Sequence, residues 1–182
     1  MSLPHALLGL ITYRPATGYD LGRAFKRSVH FFWNATLPQI YRTLNQMETK
    51  GWVTSTVEHQ EGKPSRKVYL VTEAGQTELV RWLAEPTGWG EPRLPLLVKV
   101  FFGNKMPREQ FVEQIRQYRS LCVGLLRKYE EEVPPVIEHY SRMTGAVEDA
   151  RFWGLTLDFG KRQARTGIDW CDAALEEIER EG

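Results

Sequence analysis

The stretch that most constrains this chain runs from Asn34 to Lys67. It holds a capped amphipathic segment, two β-prone runs and a cluster of cations. Thr36 stands where a helix cap belongs, because its hydroxyl can accept from an orphan backbone N–H two or three residues on. Pro38 is tolerated in the first turn, where its missing N–H costs nothing. Leu37, Ile40, Leu44 and Met47 fall three and four apart, which predicts a helix over Leu37–Lys50 with one apolar stripe turned to a core. Gly51 comes next, in the position that favours a left-handed residue, and stops the helix. Pro38, Gln39, Arg42, Asn45, Gln46 and Thr49 fall on the other side, a face without an acid.

Arginine can donate two bonds to guanine, and asparagine or glutamine can pair bidentately with adenine, so this face has the chemistry to read base edges. Taken alone, the solvated side of an ordinary amphipathic helix would look the same. The residues after Gly51 shift the balance. Trp52–Glu58 and Val68–Thr72 read as short strands, with Val53, Val57, Val68, Tyr69 and Val71 as β-formers. Between them Gly62-Lys63-Pro64-Ser65-Arg66-Lys67 sets three cations on what reads as a tight turn. A cationic hairpin just after such a helix predicts a winged helix-turn-helix, the helix entering the major groove and the wing touching backbone or minor groove. On this reading Gln39, Arg42 and Asn45 face base edges, while Thr36, Tyr41 and Tyr19 position phosphates. Pro38 shares the same surface, and Lys63, Ser65, Arg66 and Lys67 make the wing contact.

The segments FFWNATLPQIYRTLNQMETKGWV and KPSRKVYLVTEAG resemble the PadR-type transcriptional regulators, and FFWNATLPQIYRTL is most similar to their AphA-like branch. Tyr41, with the polar Gln39 two residues before it, matches the family's recognition-helix motif. The family's wing-end pattern Tyr-x-Leu-Thr-x-x-Gly is matched as Tyr69-Leu70-Val71-Thr72-Glu73-Ala74-Gly75, with Val71 inserted before the threonine. The resemblance covers residues 4 to 85. It implies a dimeric repressor or activator, repression being the expected sign. The expected architecture is mainly α with a small two-stranded β-wing: a winged helix-turn-helix over residues 1–88, then a long-helix dimerisation domain over residues 89–182. It also implies room for a small aromatic or lipophilic effector, for which Trp89, Phe101, Phe102, Trp153 and Phe159 supply aromatics.

The whole chain has a net charge of only +1, yet from Tyr13 to Lys67 nine cations face four acids. That segment therefore has a net charge of +5 and the rest −4, the footprint of a DNA-binding head on an acidic body. Upstream, Leu3–Thr12 reads as a buried first helix with Pro4 near its start, and a break comes at Arg14–Gly18. In a helix over Tyr19–Arg27, Leu21 and Phe25 face the core, and Arg23, Lys26 and Arg27 face outward and suit phosphate contacts. Phe31, Phe32 and Trp33 read most simply as core or interface filler. Thr72–Glu85 reads as a further helix with Ala74, Leu79, Trp82 and Leu83 on its buried side.

Two prolines and two glycines within Glu85–Pro92 mark a boundary. Beyond it lie a short apolar helix from Leu94-Pro95 and a long helix from Pro107. In the long helix Phe111, Ile115, Tyr118, Cys122, Leu125 and Tyr129 step as an a/d seam until Pro134-Pro135 ends or kinks it. Glu148–Arg180 repeats the pattern through Trp153, Leu157 and Ala164 to Cys171. These seams could close on each other within one chain. Leu121, Leu126, Phe152, Leu155, Phe159 and Trp170 lie off them, however, and such broad apolar faces call for a second copy, so the seam residues are read as dimerisation residues.

The four histidines have no metal-ligand spacing, and no HExxH, CxxC, GxSxG or phosphate-loop pattern is present, so neither an enzyme nor a metal or cofactor is expected. Cys122 and Cys171 read as buried thiols. No basic n-region opens the chain and no apolar run approaches about 20 residues, so a cytoplasmic protein without a membrane partner is expected. Double-stranded DNA and a second copy are the expected partners. The competing reading is a winged-helix module used for protein–protein contact without specific DNA binding, which would favour apolar or mixed residues where this wing has cations.

Overall fold

Five helix-borne side chains set the position of everything else in the N-terminal part of the chain. His5, Leu7, Leu8, Leu10 and Ile11 of α1 (Leu3–Tyr13) are all buried. In this computed structural model, residues 2–60, 63–88 and 94–180 are described, without the side chains of residues 60, 63 and 64. The chain divides into two compact units, Met1–Thr87 and Gly88–Gly182.

In the first unit α1 packs beside α2 (Gly18–Arg27), α3 (Leu37–Thr49) and α4 (Glu73–Leu83). Leu7, Leu8, Ile11, Leu21, Phe25, Ile40, Leu44, Met47, Val53 and Tyr69 form one core. Helix α2 is capped by Thr17, whose Oγ1 accepts from the Asp20 amide at 3.1 Å and donates to Asp20 Oδ2 at 2.7 Å. Leu37, expected in the core stripe of α3, is instead 40 % exposed, and Thr43 is buried in that stripe. Gly51 has φ +71°, the left-handed conformation that ends α3.

The expected two-stranded wing is present, and a short third strand joins its sheet. β1 (Ala16–Thr17), β2 (Val53–Gln60) and β3 (Lys63–Val71) are antiparallel in the order β1-β3-β2, with Ala16 opposite Tyr69 and Val53 opposite Val71. Two residues are too few to show a strand period. β1 exists because the segment after α1 pairs with β3, which turns the expected break at Arg14–Gly18 into a third strand. β3 also starts earlier than expected, so Ser65, Arg66 and Lys67 stand in a strand and not on a turn. Gly62 lies outside the described residues. Glu58 opposite Arg66 is an opposite-charge cross-strand pair, which helps to carry the ladder outward past the β-branched residues.

Helix α4 is capped by Thr72, whose backbone N–H donates to the Trp52 carbonyl at 3.1 Å while its side chain accepts from Gly75 N. A Cβ on Gly75 would lie 2.0 Å from that carbonyl oxygen, so only glycine fits. Ala74 and Leu83, expected to be buried, are exposed, and Leu79 and Trp82 are half-buried. Trp82 stacks on His5 at 4.5 Å between ring centroids, and His5 Nε2 meets Glu78 Oε1 at 2.9 Å. Phe32 and Trp33 are exposed and not core filler.

The second unit contains α5 (Pro95–Phe101), α6 (Arg108–Glu131), α7 (Val133–Thr144) and α8 (Val147–Arg180). The prolines expected to end or kink the long helix do end it, because Pro134 and Pro135 occupy the first turn of a separate helix. α6 and α8 run antiparallel. Arg119 grips Asp172 with two bonds of 2.5 and 3.1 Å, Arg108 donates to the Ile178 carbonyl at 2.5 Å, and Arg165 meets Glu130 at 2.7 Å. A Cβ on Gly167 would sit 2.7 Å from Cys122 Sγ, so the small residue allows the two helices to approach closely. Among the described residues no helix is long and apolar enough to cross a membrane, and no group of three potential ligands could hold a metal ion.

Candidate nucleic-acid interface

The recognition-type helix is seated by two glycines. A Cβ on Gly18 would lie 2.4 Å from the Tyr41 ring, and one on Gly22 would lie 2.7 Å from Leu37 Cδ1. Gly18 and Gly22 are four apart, one turn above the other on α2, so α3 rests its first turn and Tyr41 directly against that face. This spacing was the available sequence signal for the crossing. It explains why Tyr41 and Leu37 are half-covered while pointing away from the core.

The remaining surface of α3 obeys the helical period. Pro38, Gln39, Tyr41, Arg42 and Asn45 are exposed, as are Thr36 at its cap and Tyr19 and Arg23 on α2. The side chains of Arg23, Arg42 and Asn45 have no hydrogen-bond or ion-pair partner among the described residues. Gln39 is different. Its Oε1 accepts from the Thr36 backbone N–H at 2.8 Å and from Thr36 Oγ1 at 3.1 Å, so this residue, read as facing base edges, serves the helix cap.

The wing is less open than its cations suggest. Arg66 reaches Glu58 Oε2 at 2.6 Å, and Lys67 Nζ reaches Glu48 Oε2 at 2.6 Å. Glu48 Oε1 also accepts from Ser55 Oγ at 2.5 Å. The bonds from Lys67 and Ser55 hold the Glu48 carboxyl below its ordinary range, and the carboxylate pushes Lys67 up in turn. Ser65 Oγ lies 2.9 Å from His59 Nδ1. The Lys63 side chain is outside the described residues. Sequence reading missed Glu48 and His59. Glu48 flanks the acid-free face of α3, 19 residues from its lysine, a separation at which no local pattern signals contact.

The residues read as a dimer seam divide. Ile115, Cys122 and Ala164 are buried within the chain's own helices, and Phe111, Tyr118, Trp153 and Leu157 are half-buried. These contacts are spent inside the unit because α6 and α8 close on each other. Of the off-seam set, Leu121, Phe152, Leu155 and Phe159 are exposed while Leu126 and Trp170 are half-buried, and the seam residue Leu125 is exposed as well. Of the aromatics considered for an effector, Phe101 and Phe102 are exposed and meet edge-on at 5.0 Å, and Trp153 packs on Tyr140. Trp89 lies outside the described residues.

Over 189 aligned residues the chain is 33 % identical to the probable transcriptional regulator Rv1176c of Mycobacterium tuberculosis, covering 98 % of each chain. The family description "Transcriptional regulator PadR-like family" matches residues 7–81, and "Virulence activator alpha C-term" matches residues 92–179. The chain belongs to the PadR-like family of transcriptional regulators. Members of this family are DNA-binding regulators and not enzymes. The PadR fold extends across both units. The structure of the Vibrio cholerae virulence activator AphA is 30 % identical, covers all of both chains and superposes with a TM-score of 0.77. The Bacillus subtilis PadR structure with operator DNA is 23 % identical, covers 98 % of this chain and 99 % of that one, and has a TM-score of 0.82. The same Bacillus protein has been solved with p-coumaric acid.

Proposed function

We propose that this PadR-like protein is a homodimeric repressor that binds an inverted-repeat operator, placing α3 of each copy in a major groove and the wing on the flanking backbone. The observation that carries this reading is the state of Arg42 and Asn45. Both are exposed on the outward face of α3, and neither is engaged by another described side chain. They are candidates to contact base edges, with Gln39 adding its amide N–H₂ because its Oε1 is occupied by the cap. Arg23, Tyr19, Tyr41 and Thr36 are the candidate phosphate contacts, beside Pro38, and Lys63, Ser65, Arg66 and Lys67 make up the wing.

Residues 89–182 act in this reading as the dimerisation domain, with Leu121, Leu125, Phe152, Leu155 and Phe159 meeting a second copy. Repression is favoured by the Bacillus relative, whose name is negative transcriptional regulator PadR and which is 28 % identical over 160 residues. A small aromatic or lipophilic effector is favoured by that relative's complex with p-coumaric acid. We place the protein in the cytoplasm, where its operator would lie.

The test is a gel-shift titration on the DNA flanking the coding region, run against an unrelated duplex over a range of salt. Operator preference with a steep salt dependence and protection of two half-sites about one helical turn apart supports the reading. Equal, salt-independent retention of both duplexes overturns it and leaves the protein–protein module.

A further inference from the structure

Glu48 stands near the C-terminal end of α3 with both carboxylate oxygens engaged, one by Ser55 of β2 and one by Lys67 of β3. The Lys67 ammonium also lies 5.1 Å from the centroid of the Tyr69 ring. A cation of the wing is thus held between a fixed carboxylate and an aromatic face. The second bond to Ser55 matters, because it keeps the carboxylate from swinging aside when another anion approaches.

We propose that Glu48 is an affinity-setting residue of the DNA-binding surface, an internal counter-ion that cancels the charge of Lys67 and so lowers attraction to any duplex. The inference rests on the reading of α3 and the wing as that surface. Cations that meet phosphate release condensed counterions from DNA, and this release supplies most of the sequence-independent affinity. A lysine already paired inside the protein contributes only after that pair is broken, and the freed carboxylate then repels the phosphates beside it. Base-edge contacts are untouched. The device therefore lowers affinity for operator and unrelated DNA by the same factor and leaves the ratio between them unchanged.

The test is Glu48→Gln, which keeps the shape and an oxygen for Ser55 but removes the charge. Affinity for the operator and for an unrelated duplex is measured across a salt series, beside the melting temperature. Both affinities are expected to rise by the same factor, roughly fivefold to tenfold at 0.1 M salt, with the salt slope steeper by about 0.9. The melting temperature is expected to stay level or fall, because the tie between helix and wing is lost. Ser55→Ala, which releases only one oxygen, should move affinity in the same direction by less. In a Lys67→Gln background the gain from Glu48→Gln should shrink to the repulsion of the lone carboxylate, and the added salt slope should vanish. A variant that binds no better than the parent at every salt concentration overturns the proposal, as does a gain that survives in full without Lys67. Parent protein that shows no salt-dependent DNA binding overturns the underlying reading, and this inference with it.

Discussion

Thr36 and Gln39 close a reciprocal cap on α3: the Thr36 backbone N–H donates to Gln39 Oε1 at 2.8 Å, and the Gln39 backbone N–H donates to Thr36 Oγ1 at 3.4 Å. One side chain therefore has a structural duty and a proposed reading duty, and a substitution can separate them. Gln39→Glu retains an acceptor for the Thr36 N–H and adds a charge the helix N-terminus favours, so the melting temperature should hold or rise. The same charge faces DNA, and operator binding should fall by at least tenfold in a gel shift. Thr36→Ala should lower stability by about 1 kcal/mol in a denaturant titration.

Arg42 and Arg66 should fail in different ways. Arg42→Ala is expected to cost roughly 1–3 kcal/mol on the operator and to loosen preference at one base position, read from a binding-site selection. Arg66→Ala should weaken all duplexes alike and flatten the salt slope by less than about 0.9, because Glu58 already neutralises part of its charge. Identical profiles for the two variants would contradict the division of labour between helix and wing.

The dimer is checked at Leu155 and Phe159, exposed apolar residues on α8. Leu155→Glu with Phe159→Glu should leave the helical signal in circular dichroism unchanged, since neither side chain is in the core. In sedimentation velocity the variant should run as a single chain, and operator affinity should drop by roughly a hundredfold as the two heads lose their linkage.

The head should lose stability in acid through Glu78. Arg81 first, and then His5, hold this carboxyl well below its ordinary 4.5, at about 2. A lowered folded-state value means that the stabilisation is complete above about pH 4.5 and is lost as pH falls from there toward 2. Melting temperature measured across that window should fall for the parent protein, and Glu78→Gln should remove part of the slope.

Gly75→Ala should be among the most damaging small substitutions in the head. The added carbon would meet the Trp52 backbone oxygen at 2.0 Å, and neither partner is a side chain that can turn away. A loss of roughly 1–3 kcal/mol or more in urea unfolding is expected, with DNA binding reduced only in proportion to the unfolded fraction.

Much of this architecture was legible because it is written locally. The N-cap at Thr36, the left-handed stop at Gly51 and the cap at Thr72 each depend on a few adjacent residues, and each stands where the local chemistry requires. What escaped was set by partners distant in the chain. β1 has no signal of its own apart from β3, and Leu37 keeps the core period yet packs on Gly22 at the surface. The wing cations could be counted from the sequence, but not their pairing with Glu48 and Glu58, which depends on the register of the hairpin. Likewise the period located the seams of α6 and α8 without telling which of them the chain would spend on itself.

The close approach of Gly167 to Cys122 has a chemical consequence. Burial pushes both the Cys122 and Cys171 thiols up, so neither carries much of the thiolate that peroxides and electrophiles attack. Cys122 Sγ packs so close to Gly167 that even a methyl group there would clash with it, and Cys171 is fully buried. Both residues should resist alkylation until the chain is unfolded, which would make this regulator deaf to oxidative signals even with cysteines at the centre of its longest helix pair.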